Sequence, residues 1–565
     1  MRKLASTPGI VAITADVPNQ LDTSTTPTFL GLTDAVRGVW NRFDGQGRRI
    51  KGEDIIIGHI DGGVWPENPS FSDKVDPVSG KPVPYYQAGT VVYGAPPAKW
   101  AGTCQTGLGF TTAMCNNKLI GAQFFNAGWL AARPNPSQWW SFEYINSPRD
   151  ADGHGSHTLS TSGGNENVDG LVAGAVSISG VSGIAPRARV ASYKVCYNAT
   201  NGPGDINGGC FPSDSVAAIN KAVADGVDVI NFSISGSQTS FTDPVETAFR
   251  NAAFAGVFVS ASAGNRNSFP GNASTVAHNS PWIMTVGNST HNRFTTATVS
   301  YGNGATATGP SFQTAGVTSR SVILSIDAGI NSYASLSNAD KIALARCYNN
   351  GADRSLAPAS TNAAALDPAK VAGKILVCYR GGNVFVNKAQ VARDAGASAV
   401  VFQNIPAGVL PSPANGASAD TLFNLSLVLP GIHLAAADYP KAVANANGTA
   451  SISGGVQTAG VIAPVMSDSS SRGPNQADAD MLKPDITAPG TDIIAAYANR
   501  GLTQAQRDAI AAGNFAAATP YYEMISGTSM SSPHIAGMGA LLKQATRVQQ
   551  FGPPELSLIP FESTT

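Results

Sequence analysis

Short apolar runs alternate with stretches of helical periodicity over the first half of the chain. The apolar runs predict buried strands within residues 53–63, 188–196, 226–236 and 256–265. Between them, apolar side chains recur at helical spacing in residues 214–226 and 243–256, and Gly226 ends the first of these helices. Strands that alternate with helices connect by right-handed crossovers, so the pattern predicts an α/β fold with a doubly wound, mainly parallel sheet.

This alternation stops after about residue 300. The region from about residue 315 to 460 is rich in Ala, Ser and Asn and carries elements of its own. Its predicted strands and the helix between the first two lie at residues 372–381, 397–404, 424–434 and, for the helix, 387–396. The parent pattern then resumes, so we predict a small domain inserted into the larger fold.

Three polar residues lie where predicted strands end. They are Asp61, Ser233 and Asn265. Ligands of open parallel sheets bind beyond the carboxyl ends of the strands. The sequence therefore predicts the functional site at this edge.

The composition argues against binding to nucleic acid and against a membrane span. The 36 basic and 37 acidic residues give a net charge of -1, which provides no basic surface for nucleic acid. The chain has no apolar run of the roughly 18 residues that a membrane span needs.

The cysteines form three neighbouring pairs without a C-x-x-C motif, which gives little support to a zinc ribbon or a thioredoxin-like site. An even number in local pairs favours disulfides and an oxidising compartment, and six free buried thiols are the alternative at this point.

The segment ISGTSMSSPHIAG (525–537) predicts a tight turn that leads into a helix, with Ser529 at the helix N-terminus. Free backbone N–H groups and the helix dipole favour developing negative charge there. His534 is the nearest histidine, but five residues correspond to about 140° around the helix axis, so the two side chains point apart. His534 is therefore a poor base for Ser529.

His154 is the histidine that stands in a turn-to-helix setting, because it opens a predicted helix in DADGHGSHTLSTSGG (150–164) between two glycines, although a single histidine at such a place is more often structural. A purely structural role is the alternative, and a metal site shared with His157 lacks the H-E-x-x-H motif. His59 lies inside a buried strand and is interpreted as a packed, hydrogen-bonded histidine. Asp61, followed by two glycines, can point its carboxylate into the crevice or serve the turn.

Five segments place the candidate residues along the chain in the order Asp, His, Asn, Ser: IDGGVWPENPSF (60–71), DGHGSHT (152–158), INFSISG (230–236), SAGN (262–265) and GTSMSSPHIAG (527–537). In these segments the chain resembles the subtilisin-like serine proteases (subtilases), and within them the plant cucumisin-type branch and its bacterial relatives. The resemblance runs from about residue 5 to residue 543. The segment LDPAKVAGKILVCYRG (366–381) resembles a protease-associated domain, which is mainly β.

The resemblance implies a serine endopeptidase with Ser529 as nucleophile, His154 as general base and Asp61 orienting His154. It also implies that Asn265 and the backbone N–H of Ser529 donate to the oxyanion. Extended substrate would pair with residues 233–236 as an added strand. The implied substrate-binding residues are Ser233, Ile234, Ser235, Gly236, Ala261, Ser262, Ala263 and Gly264, and the implied disulfides are Cys104–Cys115, Cys196–Cys210 and Cys347–Cys378.

The same resemblance implies protein or peptide substrates, secretion to the extracellular space and no required cofactor. No local carboxylate cluster is strong enough to predict a structural calcium site, and the oligomeric state stays open. Gly62 stands where the family usually has Thr or Ser, which predicts a less rigid site rather than lost activity. Ser156 replaces a usual Thr.

The resemblance also divides the chain, and the expected parts are a C-terminal remnant of the inhibitory propeptide (1–22), a first catalytic part (23–315), the inserted protease-associated domain (316–460), a second catalytic part (461–545) and a divergent tail (546–565) without the C-terminal β-sandwich domain. The propeptide would act as folding aid and inhibitor of a zymogen. The alternative function is a catalytically impaired or inactive subtilase-like protein with truncated termini.

Overall fold

The computed structural model describes residues 25–546 except 175, 201–207, 267–270, 314, 348–362, 382–384, 413, 415–421, 423–426, 459–460 and 500–501. The predicted propeptide remnant (1–22) and all but the first residue of the predicted tail (546–565) lie outside the described residues.

The strands follow the chain in this order: β1 (Ile56–Asp61), β2 (Lys74–Val75), β3 (Thr90–Val91), β4 (Leu119–Phe124), β5 (Val168–Val172), β6 (Val176–Val181), β7 (Arg189–Lys194), β8 (Cys196–Tyr197), β9 (Gly209–Cys210), β10 (Val229–Phe232), β11 (Phe258–Ser262), β12 (Met284–Ser289), β13 (Thr295–Tyr301), β14 (Thr306–Pro310), β15 (Val317–Leu324), β16 (Ile375–Tyr379), β17 (Ala399–Gln403), β18 (Gly431–Leu434), β19 (Thr449–Ile452), β20 (Val456–Gln457), β21 (Ile486–Pro489), β22 (Ile493–Ala496) and β23 (Tyr521–Ile525).

The helices are α1 (Thr25–Phe29), α2 (Ala127–Ala132), α3 (His154–Gly163), α4 (Pro212–Asp225), α5 (Pro244–Phe254), α6 (Asn338–Ala345), α7 (Pro368–Val371), α8 (Phe385–Asp394), α9 (Tyr439–Ala444), α10 (Gln504–Ala511) and α11 (Thr528–Thr546). The helices predicted at 214–226, 243–256 and 387–396 correspond to α4, α5 and α8. Within the described part of the chain, no helix is both long enough and apolar enough to span a bilayer.

A seven-stranded sheet in the order β21-β12-β11-β10-β1-β7-β4 forms the centre of the larger fold. Every neighbouring pair in it is parallel. The strands that follow β1 lie first on its β7 side and then on its β10 side, so the winding reverses next to β1. The predicted doubly wound α/β fold is confirmed, and the reversal is the place where such sheets bind ligands.

Helices cover both faces of this sheet. Ile56 packs in a core cluster with α4 and α5, whereas the next residue, Ile57, packs with α11. Successive strand residues point to opposite faces, so the two helix layers lie on opposite sides of β1. Both isoleucines are fully buried, and each such side chain contributes about 1.5–3 kcal/mol to folding.

A second, eight-stranded sheet has the order β14-β13-β19-β15-β16-β17-β18, with β20 paired to β13. Strands β15 to β18 pair in parallel, and α8 lies between β16 and β17 in the chain, as the sequence predicts. This sheet begins at Thr295, before residue 316 where the inserted domain is predicted to start. The sheet has its own core, built around Ile375, Val401 and Ile432.

All six cysteines are paired in the structure. The disulfides are Cys104–Cys115, Cys196–Cys210 and Cys347–Cys378, the pairing that the resemblance implies.

Candidate active site

Asp61 is the last residue of β1, and its side chain is buried. The backbone N–H of Gly62 donates to Asp61 Oδ1 at 2.6 Å. The chain then turns at Gly63, which has a φ of +106° and would place a Cβ 2.5 Å from the carbonyl oxygen of Pro148. Only glycine fits this turn, which lets the strand end at Asp61 with its buried carboxylate at the carboxyl edge of the sheet.

His154 is the first residue of α3, and the preceding Gly153 has a φ of +102°. Its Nδ1 lies 2.8 Å from Asp61 Oδ1. Because an ionised carboxylate only accepts hydrogen bonds, Nδ1 keeps its proton when the ring is neutral, and Nε2 is then the nitrogen with the free lone pair. Asp152 Oδ1 accepts from the backbone N–H of His154 at 2.8 Å and so fixes the start of the helix.

The two side chains shift each other's pKa. Burial alone would raise the pKa of the Asp61 carboxyl, but the charge and hydrogen bond of His154, together with His59, hold it well below its usual value. Burial alone would lower the pKa of His154, but Asp61 outweighs it and, with Asp152 and Asp150, raises that pKa to about 9. One third of the His154 side chain stays exposed, so reactants can reach its ring.

Ser529 is the second residue of α11, at the helix N-terminus that the sequence predicts. Ser529 Oγ donates to the carbonyl oxygen of Ser233 at 3.2 Å. In return, Ser233 Oγ donates to the carbonyl oxygen of Ser529 at 2.7 Å. This reciprocal pair fastens the first turn of α11 to the segment that follows β10.

A cavity of about 270 Å³ brings several predicted residues together, because Asp61, His154, Ser233, Ile234 and Ser235 all line it. Ser529 is not one of the lining residues, but it is hydrogen-bonded to Ser233, which is. The cavity thus lies where β1 and β10 end and α3 begins, and α11 is joined to its wall through the hydrogen bonds between Ser233 and Ser529.

Asn265 follows β11 and is exposed. Its Oδ1 accepts from the backbone N–H of Thr528 at 2.9 Å and from Thr528 Oγ1 at 3.0 Å. These two bonds occupy the amide oxygen, so Nδ2 is the donor that the side chain can offer to another group. The neighbouring Gly264 N–H donates to Thr528 Oγ1 at 3.1 Å, which ties the loop after β11 to α11.

The other predicted substrate-binding residues do not line this cavity. Gly236 lies against the ring of His278, where a Cβ would come within 2.5 Å of Cε1. Ser262 Oγ donates to the carbonyl oxygen of Ile234 at 3.4 Å, and Ala261 and Ala263 are buried. These residues lie around the segment that follows β10 and do not line the cavity.

The remaining candidate histidines are buried. His534 donates from Nδ1 to the carbonyl oxygen of Met530 at 2.7 Å, and burial lowers its pKa to about 4. His157 Nε2 lies 3.0 Å from the carbonyl oxygen of Ile493, and burial lowers its pKa to about 3. His59 is fully buried and hydrogen-bonded to Thr158, as the sequence interpretation expects.

Sequence reasoning missed part of the cavity wall. Asp152 lines it, and so does the short hairpin of β8 and β9 that Cys196–Cys210 closes. The cysteine pair is visible in the sequence, but nothing in its spacing shows that it faces the cavity. Asp150 is also buried next to α3, where burial first and Asp152 second raise its pKa to about 7.

Within the described ranges, no three side chains of His, Cys, Asp or Glu lie close enough together to bind a metal ion.

Comparison with known proteins identifies the family. Residues 52–556 match the subtilase family, so the chain belongs to it. Subtilisin-like protease SBT1.6 of Arabidopsis thaliana is 34% identical over 558 residues, which cover 96% of this chain and 62% of that protein. Subtilisin-like protease SBT5.4 of the same plant is 36% identical over 552 residues, covering 96% and 61%.

The chain therefore spans about three fifths of the length of the curated relatives it matches. Among solved structures, the psychrophilic subtilisin-like protease Apa1 from Pseudoalteromonas sp. AS-11 is similar at 13% identity, with a TM-score of 0.32, over 92% of this chain and 87% of that one.

Proposed function

We propose that this protein is a serine endopeptidase of the subtilisin type, which hydrolyses peptide bonds of proteins through an acyl-enzyme on Ser529. The observation that carries the proposal is the 2.8 Å contact between His154 Nδ1 and Asp61 Oδ1. Both residues line a cavity together with Ser233, to which Ser529 is hydrogen-bonded. Membership of the subtilase family supports it.

In the first half of the reaction, Ser529 Oγ attacks the carbonyl carbon of the scissile bond and gives its proton to His154 Nε2. Asp61 stabilises the imidazolium that forms. His154 then passes the proton to the leaving amine as the C–N bond breaks, which leaves the acyl group on Ser529. Water attacks this ester in the second half, with His154 taking and returning the proton.

Two donors would stabilise the oxyanion. Asn265 supports this role because Thr528 occupies its amide oxygen and leaves Nδ2 to donate. The backbone N–H of Ser529 lies in the first turn of α11, where N–H groups have no acceptor within the helix. In proteins of this family, loss of the amide donor costs about 2.7–4 kcal/mol in the barrier.

The substrate would bind in an extended conformation along residues 233–236 as an added strand. Ser233, Ile234 and Ser235 support this because they line the cavity beside His154. Gly236 and residues 261–264 would support that strand rather than contact the substrate directly.

We also propose secretion to the extracellular space, and the three disulfides support an oxidising compartment. The division into two catalytic parts and an inserted protease-associated domain, and the inhibitory role of the propeptide, are part of the same proposal. Nothing in the family comparisons favours the inactive alternative.

The test is labelling by a fluorophosphonate and hydrolysis of casein. We expect Ser529→Ala to abolish both, because the hydroxyl that becomes acylated is gone. Ser531→Ala is the matched control, since Ser531 lies on the same helix and its buried Oγ has no hydrogen-bond partner. Labelling of Ser529→Ala at the unmutated rate would refute the assignment.

A further inference from the structure

His59 occupies an unusual position in the centre of the fold. It lies in β1 two residues before Asp61, so both side chains point to the same face of the sheet. Its Nε2 lies 2.5 Å from Thr158 Oγ1 and 3.6 Å from Asp61 Oδ2. All three side chains are almost completely buried, so their polar atoms depend on one another.

The proton position on His59 follows from its other neighbour. Asn231 Nδ2 lies 3.2 Å from His59 Nδ1, and an amide nitrogen can only donate. Asn231 Oδ1 accepts from Ser532 Oγ at 2.8 Å, which fixes the orientation of the amide. Nδ1 of His59 is therefore the acceptor, and Nε2 carries the proton that points towards Thr158 and Asp61.

The side-chain amide of Asn231 extends the hydrogen-bond network towards Ser529. Asn231 Nδ2 also donates to Ser233 Oγ at 3.0 Å. The Ser233 hydroxyl gives its own proton to the carbonyl oxygen of Ser529 at 2.7 Å. A continuous path of hydrogen bonds thus leads from His59 to the backbone of the residue proposed to be acylated.

In the other direction, Thr158 connects His59 to the proposed base. Thr158 lies one helical turn after His154 on α3, and its hydroxyl is 3.0 Å from the carbonyl oxygen of His154. It is also 3.3 Å from Asp61 Oδ2. Asp61 therefore faces His154 with Oδ1, while Oδ2 faces Thr158 and His59.

From this network we propose that His59 is a positioning residue, which holds the Asp61 carboxylate and, through Asn231 and Ser233, the Ser529 backbone in one buried frame. The proposal rests on the proposed peptidase function. His59 contacts no substrate, but it blocks rotation of the carboxylate and ties together strand and helix ends that are far apart in the chain. A fully satisfied buried network of this kind makes its members rigid.

The experiment compares His59→Val with His59→Gln on a peptide substrate, after titration of active sites with a fluorophosphonate. Valine removes both ring nitrogens, whereas glutamine keeps a donor towards Thr158. We expect kcat per active site to fall about 10- to 100-fold in His59→Val with little change in KM, because a small misplacement of reacting groups costs about that much. His59→Gln should recover most of this loss.

Two results would overturn the proposal: an unchanged kcat in His59→Val, or a His59→Gln enzyme as slow as His59→Val. If valine at this position prevents folding, Thr158→Val and Thr158→Ser ask the same question, with only the valine variant expected to be slow. His433→Gln is the matched control, since His433 is equally buried in β18 of the second sheet and should change stability but not kcat.

Ser529→Ala separates the two proposals. Activity in Ser529→Ala would refute the peptidase mechanism itself. An inactive Ser529→Ala together with a fully active His59→Val would refute the positioning role alone.

Discussion

His154 Nδ1 and Asp61 Oδ1 lie 2.8 Å apart, and this contact sets the ionisation of both side chains. The carboxylate stays ionised even though it is buried, since His154 and His59 lower its pKa. The imidazole becomes more basic than usual because Asp61 overcomes the opposite effect of burial. A general base must be neutral to accept a proton, so this pair predicts how activity depends on pH.

We expect kcat/KM to rise with pH through an inflection near 9, above the ordinary histidine value of 6.5, because His154 must lose its proton first. In Asp61→Asn the attraction of Asp61 is gone, so burial should dominate and the inflection should move to lower pH. The rate should also fall by about 10⁴-fold, since an amide that donates to Nδ1 favours the tautomer with its proton on Nε2, which cannot accept the proton of Ser529. Hydrolysis of an uncharged peptide between pH 5 and 10 measures both.

Asp152 and Asp150 also raise the pKa of His154, so Asp152→Asn serves as the control. It should shift the inflection in the same direction as Asp61→Asn while retaining far more activity. An inflection that stays in place in Asp61→Asn would contradict the electrostatic account.

The sequence predicts much of this site because its signals are local. A run of branched residues that ends in Asp-Gly-Gly indicates β1 and the position of Asp61, and the turn before the helix indicates the place of Ser529. Angular spacing alone excludes His534. Each of these arguments needs only neighbours within a few residues.

Contacts between distant segments could not be predicted in this way. Thr158 and Asn231 follow His59 by 99 and 172 residues. The bond to Asn231 depends on the register of β1 against β10, and the bond to Thr158 depends on how α3 packs against β1. The hairpin closed by Cys196–Cys210 lies beside His154 only because β7 pairs with β1. Periodicity in one sequence carries no information about such registers.

The Cys196–Cys210 disulfide gives a prediction about substrate binding. Replacement of both cysteines by serine should lower the free energy of unfolding by about 3 kcal/mol, as expected for a loop of this length. Because the hairpin forms a wall of the cavity, KM for a peptide should rise as well. Urea unfolding and steady-state kinetics measure the two effects separately.

Its control is the Cys347–Cys378 disulfide, which is buried in a separate core cluster together with Leu376 and Val400 of the second sheet. Replacement of this pair by serine should lower stability by a similar amount and leave KM unchanged. An equal rise of KM in both double variants would show that general loosening, rather than the cavity wall, is responsible.

Burial of His534 predicts sensitivity to acid. Its pKa is about 4 in the fold and about 6.5 when the chain is unfolded, so between these values the unfolded state binds the extra proton. The contribution of His534 to the free energy of unfolding is therefore fully present above pH 6.5 and is lost as the pH falls towards 4. At pH 5 the loss is about 2 kcal/mol relative to pH 7.

In His534→Asn, the amide can still donate to the carbonyl oxygen of Met530 but does not titrate. We expect the difference in stability between pH 7 and pH 5 to shrink by about 2 kcal/mol. Urea denaturation at the two pH values measures this difference. An unchanged difference would mean that His534 is not the group that takes up the proton on unfolding.

Gly62 and Gly63 are adjacent but should respond oppositely to substitution. A Cβ at Gly62 would have its nearest neighbours at 3.6–3.7 Å, among them the Asp150 and Asp152 carboxylates, and its φ lies outside the left-handed region. Gly62→Ser should therefore stabilise the protein by about 0.4–1 kcal/mol, because the unfolded chain loses freedom, and should preserve activity.

At Gly63 the φ of +106° and the Pro148 carbonyl at 2.5 Å predict a loss of at least about 1–3 kcal/mol in Gly63→Ser. Thermal unfolding of the two variants measures this contrast, and destabilisation by Gly62→Ser comparable to that by Gly63→Ser would show that the end of β1 has no room for a side chain at either position.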